Sequence, residues 1–231
     1  MIYKKRIQSP INLASVFAPQ LEGGDDAVKF MKMLGTYEGA MKVASTLLEI
    51  LDAEFRTLYD HNPIHHMESR IKSTESILEK LERKGLEPSI QNIVDHITDV
   101  VGLRIICPYV DDIYHLTDLL GKQESLTIIR KKDYINSPKV NGYRSMHLVV
   151  SVPVALSDHV EQIPVEIQLR TIAMDMWASL EHELHYKSAQ QPVEYLSERL
   201  RRCAVSLADI DLRMQEIYEH LRDATDVDME E

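Results

Sequence analysis

The sequence predicts an α/β (α+β) fold: a mixed β-sheet of about five strands flanked by helices, with helical extensions at both ends. Three observations carry this. Helical apolar spacing fills both ends of the chain, strand-like runs crowd its middle, and a helical segment interrupts those runs, so hairpins alone cannot join the strands. With 231 residues, 44% of them apolar and no repeats, the chain buries one sizeable core. It divides into a helical extension over 1–60, a domain of catalytic size over 61–190, and a C-terminal helix with an acidic tail over 191–231.

From Asp25 to Tyr59, apolar residues recur at helical spacing, as in "FMKML" and "ASTLLEILDAEF". "HNP" at 61–63 then reads as the Asn cap and first-turn Pro of a second helix, which Gly85 and Pro88 close. Four strand candidates follow, over 100–110, 126–134, 143–154 and 163–171, with the short helix "DDIYHLTDLLGK" between the first two. After Thr171 the pattern turns helical through "MWASLEHELHYK", where Met176 and Trp177 read as core residues. Residues 195–222 form a long amphipathic helix that runs into a frayed acidic tail.

A net charge of −11 argues against DNA and gives no sign of RNA binding, while leaving room for a local basic pocket. No stretch approaches a membrane span, and "INLASVFA" after "KKR" is too short and too interrupted for a signal segment, so a cytoplasmic protein is expected. Cys107 and Cys203 lie far apart without metal spacing, which suits buried thiols in a reducing compartment.

The chemical signals lie in three places. Along 163–171, Val165, Ile167 and Leu169 point one way and Glu166, Gln168 and Arg170 the other, so one face is core and the other meets water or a ligand. Asp99 leads into the apolar run 100–107 and Arg104 sits within it, and charges there need a partner or a function. Asp99 and Glu166, entering one cleft from two strands, would suit Mg²⁺, which takes oxygen ligands and usually one or two carboxylates plus substrate phosphates. On a helix over "STESILEKLERK", Ser76, Lys80 and Arg83 share an arc of roughly 60°. Lys72 joins them if the helix extends back, whereas Arg70 falls off the arc, which implies a break near Ser73 or a separate role. A solvated helix with i,i+4 ion pairs gives the same pattern. His182, His185 and Glu181, and separately His61, His65 and His66, have spacings that zinc can use, but no cysteine accompanies either set.

Four ordered blocks, "SRIKSTESILEKLERK", "HITDVVGLRIICPYVDDIY", "RKKDYINSPKVNGYRSMHLVV" and "VEIQLRTIAMDMWASLEHELHYK", resemble the synthetase domain of the RelA/SpoT family. Chain length points to its small alarmone synthetases. The resemblance implies a nucleotidyltransferase-like fold and a GTP diphosphokinase of the stringent response. Such an enzyme transfers the β,γ-pyrophosphate of ATP to the ribose 3′-hydroxyl of GDP or GTP, with Mg²⁺ as cofactor. By motif, Arg70 and Arg104 would sandwich adenine and Lys72, Ser76, Lys80 and Arg83 would hold the ATP phosphates. Asp99 and Glu166 would bind Mg²⁺, Glu166 also accepting the proton of the attacking hydroxyl. Tyr143 would stack on guanine, with Lys132, Lys139, Asn141, His147, Gln168 and Asp175 lining the acceptor site. Tyr143, Ser145 and His147 are expected on one face of a strand. The resemblance further implies a homotetramer; the long helix over 195–222 is a candidate interface, and its mixed charge equally suits a solvated terminal helix. The chain has no His-Asp dipeptide, so alarmone hydrolysis is not expected. Transfer to adenine nucleotides or a tRNA end, or a catalytically silent nucleotide- or RNA-binding regulator, are the alternatives.

Overall fold

The computed structural model describes residues 24–187 and 193–228. Helix α1 (Gly24–Leu58) leads into β1 (His66–Ile71), α2 (Thr74–Arg83), α3 (Ile90–His96), β2 (Val101–Cys107), α4 (Val110–Lys122) and β3 (Thr127–Asp133). Strands β4 (Met146–Ala155) and β5 (Val160–Thr171) then give way to α5 (Ile172–Lys187) and α6 (Val193–Asp228). The sheet order is β1-β2-β5-β4-β3; β2 and β5 run parallel and every other pair antiparallel. The sheet is therefore mixed, as the interrupting helix requires: a parallel pair needs a long crossover, and here it includes α4, β3 and β4.

Register sorts the strand residues onto two faces. One carries Leu103, Ile105, Leu148, Val150, Ile167 and Leu169, all buried, and α1 packs on it through Phe30, Leu34, Tyr37, Leu48 and Phe55 at helical spacing. Each such burial contributes about 1.5–3 kcal/mol, which is what holds this long helix against the sheet. The approach is close enough that a Cβ on Gly39 would lie 2.9 Å from Val154 Cγ1, so glycine is needed there. The opposite face carries most of the polar and charged strand residues in two rows. Arg70, Gly102, Glu166, Val149 and Arg130 form one; Glu68, Arg104, Gln168, His147 and Lys132 form the other.

Several sequence expectations are corrected. The segment after "HNP" is not helical: Asn62 Oδ1 accepts from Ile64 N at 2.9 Å in a local turn, and residues 66–71 form β1. As an edge strand with one polar face, "HMESRI" lacks the apolar alternation that would mark it. Helix α2 begins only after Ser73, whose side chain accepts from Ser76 N at 3.3 Å, so the break falls where Arg70 suggested it. The short α3 was not foreseen. Strand β4 starts at Met146 rather than at residue 143, so Tyr143 leads into the strand from a turn. Ser145 is buried and donates to Leu169 O at 3.1 Å, away from the polar face. Trp177 is buried, its Nε1 donating to Leu200 O of α6 at 2.8 Å, but Met176 is 47% exposed and is no core residue. Cys107 is buried as expected; Cys203 is exposed. The end of the acidic tail lies outside the described residues.

Candidate active site

A cleft of about 550 Å³ opens over the polar face of the sheet. On one wall, Asp99 sits in the turn before β2 and meets two ammonium groups: Lys72 Nζ donates to Oδ2 at 2.8 Å, and Lys80 Nζ lies 2.7 Å from Oδ1. Lys80 comes from α2, while Lys72 precedes the Ser73 cap and is fixed by its own N–H donating to Val100 O at 2.8 Å. Burial alone would raise the Asp99 carboxyl, but the two lysines outweigh it and hold it below the usual carboxylate range.

Glu166 stands on the floor of the cleft. Its Oε2 accepts from Gln168 Nε2 at 2.7 Å, and His147 Nδ1 lies 3.4 Å from Oε1. Burial pushes this carboxyl up as well; His147 and Gln168 prevail and keep it low, although Asp99 is near enough for its charge to oppose them. Two carboxylates, each kept ionised, therefore face the same cavity.

The far wall is aromatic and basic. The Asn141–Gly142 turn is closed by Gly142 N donating to Lys139 O at 2.8 Å, and Asn141 Oδ1 accepts from Tyr143 N at 3.1 Å. Gly142 has φ +94°, and a Cβ there would lie 2.7 Å from Ala204 Cβ of α6, so this turn requires glycine and rests on the C-terminal helix. Tyr143 is thereby set with its hydroxyl 2.7 Å from His147 Nε2 and with Lys139 Nζ 4.6 Å from its ring centre. Lys139 also lies over Tyr134, at 4.9 Å. Asn141 Nδ2 donates to Glu181 Oε1 at 3.3 Å.

Of the expected residues, Lys80, Asp99, Lys132, Lys139, Asn141, Tyr143, His147, Glu166 and Gln168 line the cleft. Arg70 and Arg104 lie on the same sheet face toward its β1 edge, two residues apart in register. Arg104 is ion-paired with Glu68 at 3.4 Å and Asp175 at 3.3 Å. Ser76 is held at the α2 cap by Ser73, and Arg83 is exposed, its Nε donating back to Glu79 O at 3.4 Å. Asp175 is not in the lining; it bridges Arg104 and Arg170, the latter at 2.9 Å.

Sequence reasoning missed Arg130, and it placed Arg170 on the polar face of its strand without a role. A bulge between Ile128 and Arg130 shifts the β3 register by one residue. Arg130 and Lys132 therefore turn to the cleft face instead of the core face. Arg130 reaches across to donate to Thr98 Oγ1 at 2.8 Å. Among the described residues no group of three or more His, Cys, Asp or Glu gathers to hold a metal ion. His61 turns instead to Asp112 at 2.7 Å, His65 Nδ1 meets His66 Nδ1 at 2.8 Å, and the side chain of His185 lies outside the described residues.

A profile of the family described as "Region found in RelA / SpoT proteins" matches residues 69–191, which span both walls of this cleft. The chain belongs to the RelA/SpoT family. A RelA/SpoT-family relative, the GTP pyrophosphokinase YwaC of Bacillus subtilis, is 44% identical over 178 residues, covering 77% of this chain and 85% of its own. The crystal structure of the small alarmone synthetase 2 from Bacillus subtilis superposes with TM-score 0.76 at 42% identity, covering 83% of this chain and 99% of its own. That of the small alarmone synthetase 1 from the same organism, bound to its product pppGpp, gives TM-score 0.77 at 34% identity, covering 83% and 97%. Among the described residues of this RelA/SpoT chain, no helix is long and apolar enough to cross a membrane.

Proposed function

We propose that this chain transfers the β,γ-pyrophosphate of ATP to the 3′-hydroxyl of GDP or GTP, releasing AMP and forming ppGpp or pppGpp. One observation carries the reading: two ionised carboxylates, Asp99 and Glu166, face one cleft between a lysine-rich wall and an aromatic, basic wall. The names of the relatives support it.

The donor set fits Mg²⁺. Both side chains offer only oxygen and are held deprotonated, and a hard cation that keeps most of its shell for water and phosphate needs no third protein ligand. When bound there, Mg²⁺ supplies charge neutralisation of the triphosphate. The rest falls to the chain. Lys72 and Lys80, which share Asp99 in this structure, are placed to engage the phosphates, and Arg70 and Arg104 offer planar guanidinium groups to the adenine from the β1 edge. Tyr143 offers a ring face to guanine beside Lys139. Glu166 accepts the proton of the 3′-hydroxyl as its oxygen bonds to the β-phosphorus and the bond from that phosphorus to the α-side oxygen breaks, AMP leaving with that oxygen.

The chain acts in the cytoplasm as a homotetramer in this reading. Exposed apolar residues on neighbouring helices, Leu180 and Leu184 on α5 and Leu212, Ile217 and Leu221 on α6, supply an interface. Incubation with ATP, Mg²⁺ and each of GDP, GTP, ADP and AMP, with products separated and identified, tests the activity. Equimolar AMP and a guanosine 3′-pyrophosphate are expected, and Glu166→Gln should abolish most turnover while nucleotides still bind. Pyrophosphorylation confined to adenine acceptors, or no AMP at all, refutes the assignment. Light scattering of the eluted protein decides the tetramer.

A further inference from the structure

Arg170 lies on the polar face of β5, 5% exposed, and no role follows for it from the substrate contacts above. Its hydrogen bonds run inward. One nitrogen, Nη1, donates to Asp175 Oδ1 at 2.9 Å and is held by it. The other, Nη2, donates twice: to the Tyr143 hydroxyl at 2.7 Å and to Gln168 Oε1 at 3.0 Å.

A guanidinium can only donate, so its partners are given a direction. Gln168 must turn its oxygen to Arg170, which leaves its Nε2 to donate to Glu166 Oε2 at 2.7 Å. The Tyr143 oxygen accepts from Arg170, so its single hydrogen is free for His147 Nε2 at 2.7 Å. A histidine that accepts at Nε2 carries its proton on Nδ1, the atom that faces Glu166 Oε1 at 3.4 Å. Two arms thus leave one nitrogen of Arg170 and end on the two oxygens of one carboxylate.

We propose that Arg170 is a positioning residue for this reaction, orienting Glu166 through two directed hydrogen-bond arms, one through Gln168 and one through Tyr143 and the Nδ1–H tautomer of His147. The proposal rests on Glu166 being the reacting carboxylate; the direction of the arms does not. With both oxygens anchored by donors, Glu166 keeps one orientation toward the incoming hydroxyl. Tyr143 then acts twice, its ring meeting the acceptor base while its hydroxyl carries orientation to Glu166.

The first test is ring-nitrogen NMR of isotopically labelled protein without nucleotide, with the His147 signals assigned from their loss in His147→Gln. The neutral Nδ1–H tautomer is expected; the Nε2–H tautomer or a doubly protonated ring overturns the proposal whatever the protein catalyses. The second is a kinetic cycle. Arg170→Lys keeps the charge but loses the fork, and kcat should fall about 10- to 100-fold, the usual effect of removing a group that orients an active-site ligand, with KM for both nucleotides little changed. The same change in a Glu166→Gln background should cost little more, because Arg170 acts through that carboxylate. Additive losses mark a merely structural arginine and overturn the idea. Should Arg170→Lys fail to fold, Tyr143→Phe cuts one arm without touching a charge: a several-fold fall in kcat at near-constant acceptor KM is expected, and unchanged kcat overturns the proposal. Absence of alarmone synthesis by the unmodified chain would refute the functional reading alone, since the tautomer is decided without it.

Discussion

Replacing Asp99 by Asn tests whether the lysine wall is a device for triphosphate or only an ion-pair network. The amide keeps the shape and one acceptor for Lys72 but removes the charge that Lys72 and Lys80 share at 2.8 and 2.7 Å. Side-chain exposures of 15–25% place these pairs between the surface case, worth about 0–1 kcal/mol, and the buried case, where breaking a pair costs about 3–5 kcal/mol. The expected loss is therefore about 1–3 kcal/mol, or roughly 2–12 °C in Tm for a chain of this size. Two effects on ATP should then separate. Without divalent metal, two freed ammonium groups meet the triphosphate unopposed, so calorimetric affinity should hold or rise. With Mg²⁺, one of the two carboxylates proposed to hold the ion is gone and turnover should collapse, by about 100-fold or more if the effect matches loss of one preorganised electrostatic contact. Near-normal turnover with Mg²⁺ refutes the metal role of Asp99; an unchanged Tm refutes the coupling of the two lysines through it.

Tyr143→Ala should weaken acceptor binding by about 1–3 kcal/mol, roughly five- to 150-fold, and leave ATP affinity nearly unchanged, whereas Tyr143→Phe should retain acceptor affinity; equal losses at both nucleotides would place the ring elsewhere. Gly142→Ala forces a side chain into φ +94° and against Ala204, costing about 1–2 kcal/mol of backbone strain before any repacking, so acceptor affinity and Tm should fall together. A variant with wild-type acceptor affinity would show that the turn does not set Tyr143. Asp133 accepts from Ile135 N, Asn136 N, Asn136 Nδ2 and Tyr114, and although burial opposes them these bonds hold its carboxyl below the usual range. Its stabilisation is therefore present above the unfolded value of about 3.9 and is lost as pH falls through the lower folded value. Asp133→Asn should lower Tm near neutral pH, with the gap closing in acid; a gap independent of pH would remove the charge from the argument.

Local chemistry was legible in the sequence wherever one segment dictates its own geometry. The alternation of Val165, Glu166, Ile167, Gln168 and Leu169 fixed which side chains face the core, because a strand has period two, and register bears it out. The α1 stripe was equally plain, since burying its apolar face requires helical spacing. Strand β1 was not legible: at the edge of the sheet, with Glu68 and Arg70 on its polar face, it shows no apolar alternation, and the strong helical pattern of α2 drew the boundary backward across it. The start of β4 was misplaced because Tyr143 has high strand preference and leads straight into the apolar run, while the turn at Gly142, seated on α6, holds it outside the ladder.

What the sequence determined by itself was the inventory of groups: which residues are charged, which share a strand face or helix arc, and which motif blocks occur in order. Only tertiary structure decided which of them meet. Lys72 lies off the helix that carries Lys80, yet both reach Asp99, because β1 pairs with β2 and brings residue 72 beside Val100. Arg130 and Lys132 face the cleft because one bulged residue reverses their side of the sheet, and nothing in "LTIIRKKDY" announces a bulge. Arg170, one more polar residue in an alternating strand, gains its direction from Asp175 on α5 and Tyr143 on a distant turn. A side chain's face follows from its neighbours in the chain; its partner follows from chain closure over many residues, which local preference does not encode.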